Sequence, residues 1–275
     1  MSGIAQNLFE KHNCCVLIPT YNNAGTLEAV INNVLAYTNR IIIVNDGSTD
    51  ETKSILEKFS HVHLVSFPMN KGKGMALRAG FKEVVARGYD KAITIDSDGQ
   101  HYADDIPSFF EKLEAQPDAL IVGARNMTAE GIPGKSSFGH KISNFWFHFE
   151  TGINLPDTQS GYRLYPVREL SRMNFFTTKF EFEIEVLVRA SWAGIPVVSV
   201  PIKVFYAPGK ERVTHFRPFT DFTRVSILHT WLVILTVLWF FPQRFFNRIK
   251  KKTSGRYFGS HLPTPGNLQQ LNLPQ

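Results

Sequence analysis

Short β-branched runs alternate with helical patterns through residues 15–96, and this alternation restricts what the chain can fold into more than any other feature. Residues 15–19, 41–45, 63–66 and 91–96 read as buried strands. Between them, residues 26–37 place Leu27, Val30, Ile31, Val34 and Leu35 on one helical face. Residues 75–87 repeat that pattern and stop before Gly88, a residue suited to close a helix. Such β-α-β alternation predicts a parallel sheet covered by helices. Ligands of these sheets gather at the carboxyl ends of the strands, where loops and helix N-termini converge.

A chain of 275 residues, 43% of them hydrophobic, holds enough apolar material for a substantial core. Its formal charge of +6 raises the question of nucleic acid, but the basic residues lie beside aromatic and apolar segments instead of forming a long Lys/Arg tract. A membrane surface is therefore the expected partner, and nucleic acid is not. The two cysteines, Cys14 and Cys15, are adjacent, which offers neither a disulfide framework nor a CxxC metal site and suits a reducing cytosolic face. The N-terminus lacks the basic start and apolar core of a signal peptide, so the catalytic part is expected not to be secreted.

The chemistry concentrates where the strands end. IDSDGQH, residues 95–101, closes an apolar run with Asp96 and Asp98 one residue apart, able to converge on one hard cation, and Gln100 can add a third oxygen. An ordinary polar turn satisfies DSDG alone equally well. VNDGSTDET, residues 44–52, combines helix-capping candidates (Ser48, Thr49, Asp50) with Asp46 before the turn, placed to accept hydrogen bonds from a base or ribose. IPTYN, residues 18–22, brings Pro19, Tyr21 and Asn22 to the first strand's end, the tyrosine available to stack on a base. NKGKG, residues 70–74, sets backbone donors and Lys71 and Lys73 at a helix start, where an anionic phosphate is stabilised. It lacks Walker A spacing, and a solvated basic turn also accounts for it.

In order and spacing these four segments resemble the family 2 glycosyltransferases of the GT-A fold. GAR (123–125), DTQSGYRLY (157–165) and FEFEIE (180–185) narrow the resemblance to the polyprenyl-phosphate sugar transferases typified by dolichol-phosphate mannose synthase, over roughly residues 14–215. The resemblance implies a Rossmann-like, mostly parallel sheet flanked by helices and ending in a membrane-associated helix. Residues 1–118 would be the nucleotide-sugar half, 119–216 the acceptor half, 217–252 the membrane-associated helix with basic flanks, and 253–275 a disordered tail.

It further implies that Pro19, Tyr21, Asn22 and Asp46 bind the donor with Lys73 nearby, and that Asp96, Asp98 and Gln100 hold Mg²⁺ or Mn²⁺ on the diphosphate. Arg125 and Arg163 would face the sugar and the acceptor phosphate, while Ser160, Lys141 and Arg212 would meet the acceptor. The late arginine departs from the family pattern: ERVTHFRP, residues 211–218, stands where glycine, serine and lysine usually follow. If the acceptor were a hydroxyl, a base would be needed, and Asp157 and Glu183 are the candidates. The implied reaction is inverting transfer from a UDP- or GDP-sugar to a membrane lipid, above all a polyprenyl phosphate, on the cytoplasmic face. Transfer to another lipid or polysaccharide hydroxyl, or nucleotide-sugar binding without transfer, are the alternatives. Nucleotidyl transfer is disfavoured, since no glycine-rich, Arg-containing loop follows the first strand.

Residues 225–241 contain no Asp, Glu, Lys or Arg and are flanked by Arg217 and Arg224 before and Arg244, Arg248 and Lys250–252 after, with Trp231 and Trp239 as interfacial aromatics. Their length, 17 residues, allows a spanning, an interfacial or a buried helix. A second helix, around residues 138–149, carries Phe138, Ile142, Phe145, Trp146 and Phe149 at helical spacing and suits either the membrane interface or the sheet.

Overall fold

The computed structural model describes residues 2–126, 134–205 and 217–240. Residues Met1–Val233 form one compact unit and Ile234–Gln275 a second; in the second, the described residues are the end of the last helix and a π-helical turn, Thr236–Phe240. The anticipated tail and Arg212 lie outside the described residues.

The first unit is built in the order α1 (Ser2–Lys11), β1 (Cys14–Thr20), α2 (Leu27–Leu35), β2 (Ile41–Asn45), α3 (Thr52–Glu57), β3 (His63–Ser66), α4 (Lys73–Ala86) and β4 (Lys91–Thr94). There follow α5 (Ile106–Ala115), β5 (Leu120–Arg125), α6 (Gly134–Thr151), β6 (Arg163–Tyr165), α7 (Val167–Leu170), α8 (Phe182–Trp192), β7 (Val197–Ile202) and α9 (Pro218–Leu235). Its seven strands form one sheet in the order β3-β2-β1-β4-β6-β5-β7, parallel except for β6, which runs antiparallel to both neighbours. Both anticipated halves thus contribute to a single sheet.

Central position explains the strand sequences. Every residue of β1 and β2 is buried, as strands covered on both faces require, and both read as continuous apolar runs. Successive β1 residues feed opposite layers: Cys14, Val16 and Ile18 pack with α1, α2 and α5 (Phe9, Leu27, Ile31, Phe109, Phe110), while Cys15 and Leu17 pack with α4 and α8 (Leu77, Phe81, Phe182, Leu187). The edge strand β3 alternates between half-buried and exposed residues. α4 ends as anticipated, with Gly88 at φ +81°, a conformation that costs glycine little.

One expectation needs correction, and one open alternative is narrowed. The fourth strand stops at Thr94, so Asp96 and Asp98 occupy the loop beyond it and not the strand. The aromatic stripe of α6 is not the docking face: Phe145 is 60% exposed, whereas His140, Ser143, Phe147 and Glu150 are buried. The inward face carries polar groups because each has a partner below. Ser143 meets Thr158 at 2.8 Å, His140 meets Asp157 at 2.9 Å and Glu150 meets His229 at 2.8 Å.

α9 begins before the uncharged stretch. Leu228, His229 and Leu232 are buried against the first unit, while Phe219, Phe222, Ile227 and Trp231 are exposed. Phe219–Leu238 is long and apolar enough to cross a membrane, with mean hydropathy 1.4 over its most apolar window.

Candidate active site

Parallel pairing of β1 with β2 and β4 brings the ends of three strands together, and a cavity of about 490 Å³ opens there. Pro19, Tyr21, Asp46, Lys73, Asp96, Asp98 and Gln100, all expected from sequence, line it. Thr20, Asn23, Asn70, Lys179, Arg217, Asp221 and Arg224 line it too. Its volume falls within the range of small-molecule sites.

Asp46 organises one wall. Its carboxylate accepts the backbone N–H of Lys71 at 2.7 Å and of Gly72 at 2.8 Å, and the Asn70 amide at 3.0 Å. Burial pushes its pKa up, against the lowering effect of those backbone donors. Asp46 therefore fastens the NKGKG turn to the end of β2. Gly47 makes this close approach possible, because a Cβ there would lie 2.3 Å from the Met69 carbonyl carbon. Asn22 does not line the cavity; its side-chain oxygen accepts the Thr49 N–H at 2.8 Å and its own N–H donates to Ser48 Oγ at 3.0 Å, which ties the first two loops together. Asp50 accepts the Thr52 N–H at 3.0 Å, one residue ahead of the cap position of α3, which Glu51 holds without a side-chain capping bond.

The fastened turn starts α4 with Lys73, whose ammonium lies 2.8 Å from Asp96 Oδ1, 3.0 Å from Oδ2 and 3.1 Å from Glu183 Oε2. Burial alone would lower the Lys73 pKa; Asp96 and Glu183 overcome this and raise it, so the side chain is charged. Burial likewise opposes ionisation of Asp96, and Lys73 reverses this, holding the carboxyl below its ordinary value. Asp98 accepts the Gln100 N–H at 3.0 Å, which folds the loop so that Asp96 and Asp98 share the cavity. Burial drives the His101 pKa down to about 4, leaving the ring neutral at pH 7.

Gly161 marks how tightly this cluster is built. A Cβ there would lie 2.6 Å from Asp96 Oδ2 and 2.7 Å from Lys73 Nζ. Gly161→Ala is accordingly expected to displace the Lys73–Asp96 pair, cutting turnover at least tenfold and costing about 1–3 kcal/mol in stability. Turnover and a melting curve on the variant check this; unchanged turnover contradicts it.

Among the described residues, the other expected ones, Arg125, Asp157, Arg163, Ser160 and Lys141, do not line the cavity. Asp157 is fully buried and saturated. Arg125 reaches it through Nε at 2.6 Å and Nη2 at 3.1 Å, His140 at 2.9 Å, and the N–H groups of Gln159 and Ser160 at 2.9 and 3.1 Å. Burial would raise its pKa, but His140 and Arg125 hold it far below the ordinary carboxylate range. A carboxylate so committed is a poor proton acceptor, which argues against the general-base role weighed for it. Arg163 is also fully buried, donating to the carbonyls of Ser160, Glu183 and Thr158 at 2.6, 2.7 and 2.9 Å and to the Tyr165 hydroxyl at 3.2 Å. It pins the 158–160 loop to α8 and does not line the cavity. Ser160 is buried within that loop, and Lys141 is exposed on α6.

The sequence reading missed Thr20 and Asn23, pocket residues that each bury a side-chain oxygen without a protein partner, and Arg217, Asp221 and Arg224. The α9 arginines were read only as membrane flanks. Within FEFEIE two of the three glutamates divide labour: Glu183 pairs with Lys73, and Glu185 accepts the N–H groups of Phe176 and Thr177 at 3.0 and 2.9 Å.

Residues 15–171 match the family described as Glycosyl transferase family 2. The chain is 28% identical over 200 residues to polyprenol monophosphomannose synthase of Mycolicibacterium smegmatis, covering 68% of this chain and 75% of that protein. It is 28% identical over 214 residues to UDP-N-acetylglucosamine–dolichyl-phosphate N-acetylglucosaminyltransferase of Methanococcus voltae, covering 70% and 85%. Among solved structures, glucosyl-3-phosphoglycerate synthase from Mycobacterium tuberculosis, in complex with Mn²⁺, UDP-glucose and phosphoglyceric acid, superposes with TM-score 0.60 at 20% identity, over 86% of this chain and 83% of that one. That likeness shows the GT-A fold. With more than half of its length matched, the chain belongs to glycosyl transferase family 2 and is a glycosyltransferase.

Proposed function

We propose that the protein transfers a sugar from a UDP- or GDP-sugar to a polyprenyl phosphate at the cytoplasmic face of a membrane, with inversion at the anomeric carbon. One observation carries the choice of acceptor: both carboxylates that a hydroxyl acceptor would need as a base are tied up in ion pairs, Asp157 with Arg125 and Glu183 with Lys73. A phosphate acceptor is already anionic and needs no base. The printed substrates of the M. smegmatis and M. voltae relatives, polyprenol and dolichyl phosphates, favour the same class.

The donor's nucleoside is assigned to the pocket of Pro19, Thr20, Tyr21 and Asn23, where the unpartnered Thr20 and Asn23 oxygens await hydrogen-bond donors. Lys73 lies where the diphosphate would arrive, its charge fixed by Asp96 and Glu183. Two carboxylates and an amide oxygen on one cavity form a hard donor set that fits Mg²⁺ or Mn²⁺, so Asp96, Asp98 and Gln100 would hold it. Bound there, the cation would offset the charge that builds on the departing diphosphate. The acceptor phosphate oxygen attacks C1 of the sugar from the face opposite the leaving group. The C1–O bond to the diphosphate breaks, and the nucleoside diphosphate leaves with the bonding electron pair.

Polyprenyl phosphate and the matching polyprenol, offered side by side with a panel of nucleotide sugars, test the acceptor. The phosphate is expected to be glycosylated and the alcohol not; glycosylation of the alcohol at a comparable rate would restore the hydroxyl reading and demand a base.

A further inference from the structure

We propose that Arg217 and Arg224, at the start of α9, form the receiving site for the acceptor's lipid-borne phosphate, so that the helix facing the lipid also loads the catalytic cavity. This rests on the polyprenyl-phosphate reading above and gives it an address. Both arginines line the same cavity as Asp96 and Asp98. Seven residues apart, they fall on one side of the helix, two turns from each other.

Their charges are available. Among the described residues Arg217 makes no ion pair with a protein carboxylate, and Arg224 is only 3.6 Å from Asp221, with its side chain 48% exposed. Asp221 does structural work instead: it is buried and accepts the Arg217 backbone N–H at 2.7 Å, fixing the first turn of the helix. The cavity's other deep cation, Lys73, is already neutralised by Asp96 and Glu183. A phosphate monoester entering from the α9 side therefore meets two guanidiniums, Arg217 with no carboxylate partner among the described residues and Arg224 half-exposed and held only by the longer 3.6 Å contact to Asp221, the side chains best shaped to grip phosphate oxygens.

The rest of α9 explains why the phosphate would arrive on a lipid. Phe219 is 90% exposed, Ile227 64% and Trp231 53%, an apolar face turned away from the protein. The opposite face is held by Leu228, Leu232 and the buried His229–Glu150 pair, whose ring nitrogen and carboxylate are 2.8 Å apart across α9 and α6. The helix is thus clamped with its arginines lining the cavity and exposed apolar residues, Ile227 and Trp231, following Arg224 along it. A lipid whose chain lies along those residues carries its head group to the arginines.

The test uses the full chain in detergent, polyprenyl phosphate as acceptor, and the donor that supports transfer. Arg217→Gln/Arg224→Gln is expected to raise the acceptor KM about 10- to 100-fold. Donor Kd by calorimetry is expected to stay within about twofold, which also reports that the variant is folded. Arg217→Lys/Arg224→Lys should recover part of the loss. An unchanged acceptor KM in the double Gln variant overturns the site, and so does a rise in donor Kd without one in acceptor KM, which would give the arginines to the donor diphosphate. Failure of the wild type itself to use any polyprenyl phosphate is a different result: it removes the acceptor class, and this site with it.

Discussion

Asp157→Ala is expected to destabilise the protein by about 3–5 kcal/mol and lower Tm by roughly 6–20 °C, because it strands the part-buried Arg125 guanidinium, the buried His140 ring and three backbone N–H groups. A general base would behave otherwise, losing turnover with Tm unchanged, so thermal melting beside a rate measurement separates the two roles. The pH dependence has a definite sign. The folded pKa of Asp157 is depressed, so its stabilisation is complete above the unfolded aspartate value of about 4 and is lost as pH falls toward the lower folded value. Asp96 acts in the same direction. Lys73 is the converse: its raised pKa contributes stability fully present below about pH 10, lost only as pH climbs through the folded value. Wild-type Tm should therefore drop steeply below pH 4, and the Asp157→Ala variant should show a shallower drop.

Asp96→Asn is expected to cut kcat about 10²- to 10³-fold while leaving the fold nearly intact. The amide keeps an oxygen toward Lys73, and Glu183 still neutralises the ammonium at 3.1 Å, so no buried charge is stranded. On the proposed reading, what disappears is one of the three ligands that would hold the cation and the negative charge it brings. Steady-state rates and a melting curve check this together. A loss smaller than threefold would move Asp96 out of the reaction and leave it as the structural partner of Lys73.

The donor side of this site was legible in the sequence for a physical reason. In a parallel sheet the strand ends lie together whatever the distant chain does, so IPTYN, VNDGSTDET, NKGKG and DSDGQH need only follow strands to share a cavity. The acceptor side was not, because its outcome turns on which charges tertiary packing buries. Asp157 is neutralised by Arg125, 32 residues away on β5, and His140, 17 away on α6. Nothing in DTQSGYRLY announces either partner, or that Arg163 spends its donors on carbonyls. The three-residue β6 is too short to show a period of two, so its antiparallel insertion between β4 and β5 is invisible beforehand. The seating of α6 stayed open for a related reason: its aromatic stripe outweighs the inward polar residues in any periodicity, yet His140, Ser143 and Glu150 have buried partners while Phe145 is exposed. Arg217 and Arg224 flank an apolar stretch, and only the docking of α9 turns them toward the cavity.

Purified full-length protein, given radiolabelled UDP- and GDP-sugars with polyprenyl phosphate, is assayed by the label that partitions into the organic phase. Label from one donor is expected in the lipid, requiring Mg²⁺ or Mn²⁺ and lost both with chelator and in Asp98→Ala. Metal-dependent donor binding by calorimetry with no lipid label from any donor would contradict sugar transfer to a lipid and leave a nucleotide-sugar-binding module.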